Sequence, residues 1–243
     1  MRLYFLDNSA QLDETITLSP EQSHRFSHVL RLKVGHQFNA RDSKGYRYIC
    51  QIISIQKKAV TITILDKFDP LLAQPSITVW QAIPKGNKFD ECIPLMVEAG
   101  ASQIIPMITQ HSECQPSESK IERWQRLLYE SIDQSGNATV QPIETPQTIQ
   151  DLLYSVNSDH LLFFCHQEPI PSPTLSTLIQ TLKPHQSIIL AIGPEGGFSL
   201  EEVEIFKQKG FHALYFRQTI LRSEHAACFF LAGIQLLYQE LKG

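Results

Sequence analysis

Two segments of this 243-residue chain hold residue types that could act together chemically. Gly193-Pro194-Glu195-Gly196-Gly197-Phe198-Ser199 sets a carboxylate inside a glycine-rich turn, and Ile220-Leu221-Arg222-Ser223-Glu224-His225 brings a guanidinium, a second carboxylate and an imidazole into one short run. Gly196 and Gly197 can adopt positive φ and let a ligand approach the backbone closely. A turn placed before a helix start suggests an anion first, but no Lys-Ser/Thr pair follows the glycines, so this is no P-loop. Taken alone, a turn of this kind between a strand and a helix is usually only a connection. Arg222 and Glu224 precede Ala226-Ala227-Cys228-Phe229-Phe230-Leu231-Ala232, which is apolar almost all round and therefore buried on more than one side. Charged groups at such a mouth are expected either to cap the helix or to hold a ligand.

The elements that must position these residues follow from periodicity. Ile188–Ile192 is an apolar run stopped by Gly193-Pro194, too short for a helix and suited to a buried parallel strand. Ser199 with Glu202 forms a capping box that starts the next helix. Upstream, Ile77–Ala82 leads through Lys85-Gly86 into a helical segment ending at Ala99-Gly100, and Gln103–Met107 reads as the next strand. Glu118–Ser135 is a long amphipathic helix with Gly136 as its C-cap. Further strands at Leu161–Cys165, Ile188–Ile192 and Ala213–Phe216 complete an alternation that implies an α/β domain, with a mostly parallel sheet covered by helices on both sides. The first third has another grammar. Leu3–Leu6, Gln37–Ala40, Tyr46–Ile55 and Val60–Leu65 are short β-like runs, interrupted by a helix that starts at Ser19-Pro20-Glu21-Gln22. They suggest a small antiparallel barrel. The proline-bearing stretch 66–75 separates the two regions, which gives domains of 1–72 and 73–243.

Composition narrows the function classes. The net charge is −4, yet residues 1–72 carry +3 and the remainder −7, so the barrel is the basic part. No apolar run reaches the roughly 18 residues of a membrane span and no signal peptide opens the chain, so a cytoplasmic location is expected. Cys50, Cys92, Cys114, Cys165 and Cys228 contain no C-x-x-C pair. Neither a disulfide frame nor a metal site is signalled.

The paired segments Gly193–Ser199 and Ile220–Glu224 resemble the signatures of the ribosomal small-subunit RNA uridine N3-methyltransferase family, part of the knotted SPOUT superfamily. His28-Val29-Leu30-Arg31-Leu32-Lys33-Val34-Gly35 resembles that family's motif in its PUA-like barrel. Lys85-Gly86 with Lys88 and Asp90, the Glu98-Ala99-Gly100-Ala101 turn and Ile105-Pro106 resemble the first half of its catalytic domain. The resemblance spans the chain.

It implies a carboxy-terminal α/β domain with a deep trefoil knot that binds S-adenosyl-L-methionine, methylation of N3 of a uridine in 16S ribosomal RNA, and a homodimer. The cofactor would be held by Leu190, Ile192, Gly193, Pro194, Gly196, Gly197, Phe216, Ile220, Leu221 and Ala226. Arg222 would stabilise charge on the uracil oxygens or grip the cofactor's carboxylate. Glu195 and Glu224 compete for the role of base. Arg25, Arg31, Lys33, Arg47 and Lys85 would contact RNA phosphates. Three places depart from the family pattern: Phe216-Arg217-Gln218-Thr219 replaces a glycine-containing stretch, Asp133–Asn137 has lost an arginine, and His225 stands in place of a threonine. A SPOUT enzyme for another RNA, and a non-catalytic RNA-binding member of the fold, are the alternative expectations.

Overall fold

A computed structural model describes residues 3–6, 8–42, 44–56, 59–69, 75–112, 116–137 and 140–242. The boundary expected between residues 72 and 73, and Cys114, lie outside them. The chain forms two compact units, Met1–Ala73 with Asp133–Thr139, and Gln74–Ile132 with Val140–Gly243.

The first unit contains β1 (Leu3–Leu6), β2 (Thr15–Thr17), α1 (Pro20–His24), β3 (Gln37–Asp42), β4 (Arg47–Gln56) and β5 (Ala59–Phe68). Its sheet runs β1-β3-β4-β5-β2. The expected antiparallel pattern holds for β3–β4, β4–β5 and β5–β2, whereas β1 pairs with β3 in parallel. Alternation along β4 and β5 sends Tyr48, Cys50, Ile52, Val60, Ile62 and Ile64 inward. Asp42 is buried among them. Burial pushes its carboxyl up, but hydrogen bonds from Tyr48 Oη (2.8 Å) and the Tyr46 and Lys44 amides outweigh this and hold it below the usual range. Burial, with Asp42 beside it, pushes the Tyr48 phenol up to about 12.

The capping box at Ser19 and Gln22 is present, with Pro20 in the first turn. The expected single helix after it widens at once into a π-helical turn, Arg25–Val29, and Arg31 follows with φ 52°. Amides of Leu30 and Leu32 bonded back to Arg25 O and Phe26 O hold that exit.

The second unit contains β6 (Ile77–Ala82), α2 (Lys88–Glu98), β7 (Gln103–Ile108), most of α3 (Glu118–Ser135), β8 (Gln147–Thr148), α4 (Ile149–Tyr154), β9 (His160–Cys165), α5 (Leu175–Thr181), β10 (Ser187–Ile192), α6 (Leu200–Gln208), β11 (His212–Leu214) and α7 (Ser223–Lys242). Six strands in the order β11-β9-β10-β6-β7-β8 form one sheet, and every pairing in it is parallel. Period-2 alternation divides the apolar side chains between two cores. Ile188, Leu190 and Ile192 of β10 join Ile77, Val79, Phe163, Trp124, Ala227, Leu231 and Ile234 on one face. Ile189 and Ala191 join Trp80, Phe164, Leu152, Val203 and Phe206 on the other. The run Ile188–Ile192 is therefore unbroken because both faces of its strand are covered.

On the first face, α7 lies against α2, and Gln235 Nε2 donates to Ala99 O (2.8 Å) and Gly100 O (3.0 Å), pinning it to the end of α2. Gly100 has φ 87°, and a Cβ there would collide with Gln235. Among the described residues no helix is long and apolar enough to cross a membrane.

Candidate active site

The carboxyl ends of β9 and β10 and the segment leading into α7 enclose a cavity of about 220 Å³. In a parallel sheet that end of the strands is where ligands gather. Gly193, Pro194, Glu195, Gly197 and Phe198 form one wall, and Thr219 to Ser223 form the second. Ala226 and Phe230 of α7, with Ile192 and Phe216, supply an apolar floor.

Local bonding fixes the glycine-rich wall. Gly197 N donates to Pro194 O (2.9 Å), closing a turn in which Gly197 takes φ 71°. Gly196 does not need positive φ; a Cβ there would instead meet His111 Cβ at 3.4 Å. His111 Nδ1 donates to Gly197 O (3.1 Å). Ser199 and Glu202 make the expected capping box, and Glu202 also accepts from Gln110 N (2.8 Å). The loop after β7 thus braces the turn.

Glu195 accepts from Lys88 Nζ (2.7 Å) and, more weakly, from Lys85 N (3.4 Å). Burial pushes its carboxyl up, but Lys88 together with the Glu195 and Lys85 amides outweighs burial and holds it below the usual range. The Glu195 carboxylate in turn pushes the Lys88 ammonium up; Glu224 adds to this and Arg222 opposes it. Lys88, Glu195, Arg222 and Glu224 therefore share one electrostatic neighbourhood.

A depressed carboxyl stabilises the folded state fully above its unfolded value of about 4.5, and that contribution is lost as pH falls through the folded value. Between about pH 6 and pH 3.5 the urea midpoint of the native protein is expected to fall more steeply than that of Glu195→Gln. Parallel curves would show that the Lys88 pair does nothing for the fold.

Most of the expected cofactor residues line the cavity: Ile192, Gly193, Pro194, Gly197, Phe216, Ile220, Leu221 and Ala226. Leu190 does not, because strand alternation turns it into the core shared with α7. Gly196 faces His111 rather than the cavity. Arg222 lines it, is exposed, and makes no side-chain hydrogen bond or ion pair among the described residues. It is not a cap paired to Glu224. Glu224 turns away: it is 4% exposed, is absent from the lining, and its Oε2 has no partner among the described residues.

Sequence reasoning missed Cys165, His166, Gln167, Phe198, Thr219, Ser223 and Phe230. Cys165 to Gln167 follow directly on β9, so the rule that ligands sit at strand carboxyl ends was the available signal. Burial pushes the Cys165 thiol well above its ordinary value, and burial with nearby carboxylates pushes Cys92 to about 12, so neither supplies a thiolate. No group of three or more His, Cys, Asp or Glu that could hold a metal occurs among the described residues.

Of the expected RNA contacts, Arg31, Lys33, Arg47 and Lys85 are exposed and Arg25 is half-buried. Arg47 lies over the Phe68 ring, 5.7 Å from its centroid.

Residues 72–235 match the model of the RNA methyltransferase domain, and residues 21–65 match that of the RNA methyltransferase PUA domain. A Synechocystis protein named ribosomal RNA small subunit methyltransferase E is 30% identical over 94% of this chain and 75% of its own length. A putative methyltransferase from Legionella pneumophila, solved with bound S-adenosylmethionine, superposes with a TM-score of 0.76 at 26% identity, covering 96% of each chain. The small-subunit methyltransferase E of Neisseria gonorrhoeae shares the fold, with a TM-score of 0.78 over 98% of each chain at 24% identity. This chain belongs to the RNA methyltransferase family that joins this catalytic domain to an amino-terminal PUA domain, the ribosomal small-subunit methyltransferase family whose signatures its two cavity walls resemble.

Proposed function

We propose that the protein is an S-adenosylmethionine-dependent methyltransferase that acts on N3 of a uridine in 16S ribosomal RNA. One observation carries the reading: the lining of an apolar cavity at the carboxyl ends of β9 and β10 includes Glu195, paired to Lys88, and Arg222, which has no side-chain partner among the described residues. The residues fit the cofactor. Ile192, Leu221, Ala226 and Phe230 suit an adenosyl group, Gly193 and Gly197 line the cavity without side chains to fill it, and the Arg222 guanidinium suits a carboxylate or an oxyanion.

When bound, S-adenosylmethionine supplies an electrophilic methyl group on a sulfonium. The chain's own residues must hold the uracil in line and take the N3 proton. Glu195, which lines the cavity and is kept ionised by Lys88, is assigned the N3–H contact; Glu224 faces away and is not. A carboxylate held so low is a weak base. Charge stabilisation on the uracil oxygens, assigned to Arg222, must therefore contribute more. Arg25, Arg31, Lys33, Arg47 and Lys85 are assigned to the RNA backbone.

The test is mass-spectrometric mapping of methyluridines in ribosomal RNA from cells lacking the protein. Loss of one 3-methyluridine supports the proposal. Loss of a different mark points to another RNA target, and no loss points to a binding protein without turnover.

Three further assignments accompany this one. The second unit is assigned the deep trefoil knot that the family resemblance implies, with Ser223, opening α7, bonded to Gly193 just after β10. Phe229 (46% exposed) and Leu236 (62% exposed) lie with Gly233 on one stripe of α7, which suits a homodimer. Leu236→Glu is expected to shift the sedimenting species from dimer to monomer; a monomeric native protein would refute the dimer. With ribosomal RNA as its substrate, the protein is placed in the cytoplasm.

A further inference from the structure

Gln81 is polar, whereas the other fully buried residues of β6 are apolar. It is 0% exposed and lies at the end of β6, where alternation with Trp80 and Ala82 turns it toward the α7 face. Its Nε2 donates to Ser223 Oγ (2.9 Å) and to Ala82 O (3.1 Å). Ser223 Oγ donates in turn to Gly193 O (2.6 Å). A hydroxyl has one proton, so a donor from Gln81 leaves that proton directed at Gly193.

The arrangement carries a cost that a purely structural position would avoid. Gln81 Oε1 has no partner among the described residues, although it is buried. Ile77 and Val79 on the same strand are aliphatic and bear no such burden. An aliphatic residue at position 81 would remove the orphaned Oε1 but also the donor that Ala82 O and Ser223 Oγ receive, so the amide's value lies in its donor side.

What that side connects is the cofactor cavity. Gly193 opens one wall and Ser223 closes the other, and both line the cavity. From the buried amide outward, the relay sets the separation of the two walls and orients the Gly193 peptide. We propose that Gln81 is a positioning residue for the cofactor: Gln81 and Ser223 form a hydrogen-bond relay that holds the Gly193–Gly197 turn and the Thr219–Ser223 segment at binding distance. This rests on the reading of the cavity as the S-adenosylmethionine site.

The test is calorimetric titration of the intact protein with S-adenosylmethionine and with S-adenosylhomocysteine, alongside thermal unfolding of the ligand-free protein. Gln81→Leu and Ser223→Ala are each expected to raise Kd about tenfold at temperatures where the protein is fully folded. Ser223→Thr, which keeps the hydroxyl, should stay within about threefold of the native value. The double variant Gln81→Leu/Ser223→Ala should be little worse than either single variant, because both remove one relay. A merely structural role would lower the unfolding temperature and leave Kd unmoved. Kd for Gln81→Leu within about twofold of native overturns the relay; should Gln81→Leu not fold, the Ser223→Ala and Ser223→Thr pair decides, and equal affinities refute it. Absence of binding by the native protein instead removes the cofactor reading, and the relay with it.

Discussion

Arg222→Ala is expected to lower kcat/KM for methyl transfer about 100-fold or more while leaving the unfolding temperature unchanged. The two halves of that expectation have separate causes. Arg222 is exposed and makes no side-chain hydrogen bond or ion pair among the described residues, so its removal breaks no contact that holds the fold. It lines the cavity and acts electrostatically on Lys88, which itself grips Glu195, so it stands among the charges around the carboxylate proposed to contact N3–H. Deprotonating N3 leaves negative charge on the uracil oxygens, and a preorganised bidentate donor stabilises that charge more than it stabilises neutral uracil.

The two roles open to Arg222 give different kinetics. A residue serving the oxyanion lowers kcat and leaves the Kd for S-adenosylmethionine unchanged. A residue gripping the cofactor carboxylate raises that Kd about tenfold and is partly rescued by Arg222→Lys, which keeps the charge but loses the fork. Normal methylation by Arg222→Ala with unchanged cofactor affinity would refute both.

How much of this was legible in the sequence depended on whether a residue's environment is set by its neighbours in the chain. The strand Ile77–Ala82 and the helix Glu118–Ser135 are where periodicity places them, and both capping boxes form. Local pattern suffices for these. It failed for Thr15–Thr17, too short to show alternation, and for Arg25–Val29, where a helical pattern gives no sign of widening to a π turn. It also failed for the parallel pairing of β1 with β3, which depends on the path between the strands.

The site shows the same division. The glycine-rich turn and Ile220–Arg222 were found by their motifs, but a motif cannot say which way a side chain points. Leu190 sits within the motif strand and faces the core; Glu224 adjoins Ser223, a cavity residue, and is buried away from the cavity. Gln81 had a signal that went unused: a long polar side chain in a mostly apolar strand that pairs on both edges has to find a partner.

Neutralising the barrel's Arg31 and Lys33 is the second change with a large expected effect, and it should act on RNA alone. The double variant Arg31→Ala/Lys33→Ala is expected to weaken RNA binding and to reduce the slope of log affinity against log salt by about 1.4, if each side chain releases counterions from one phosphate of a single strand. Its Kd for S-adenosylmethionine should be that of the native protein, since the cavity is built from residues of the other unit. Both side chains are exposed.

Arg31 also allows function to be separated from folding at one position. Its φ of 52° lies in the left-handed region, where a non-glycine residue is strained by roughly 1–2 kcal/mol. Arg31→Gly relieves that strain, although it gives the unfolded chain more freedom, whereas Arg31→Ala keeps the strain and removes the charge. Arg31→Gly should therefore be at least as stable as Arg31→Ala by urea denaturation, yet bind RNA as weakly. If the strained backbone served only the barrel's own packing, the two variants would differ in stability and neither would change RNA affinity. Loss of affinity in both, with stability ranked by backbone strain, assigns Arg31 to the RNA and its conformation to the π turn that delivers it.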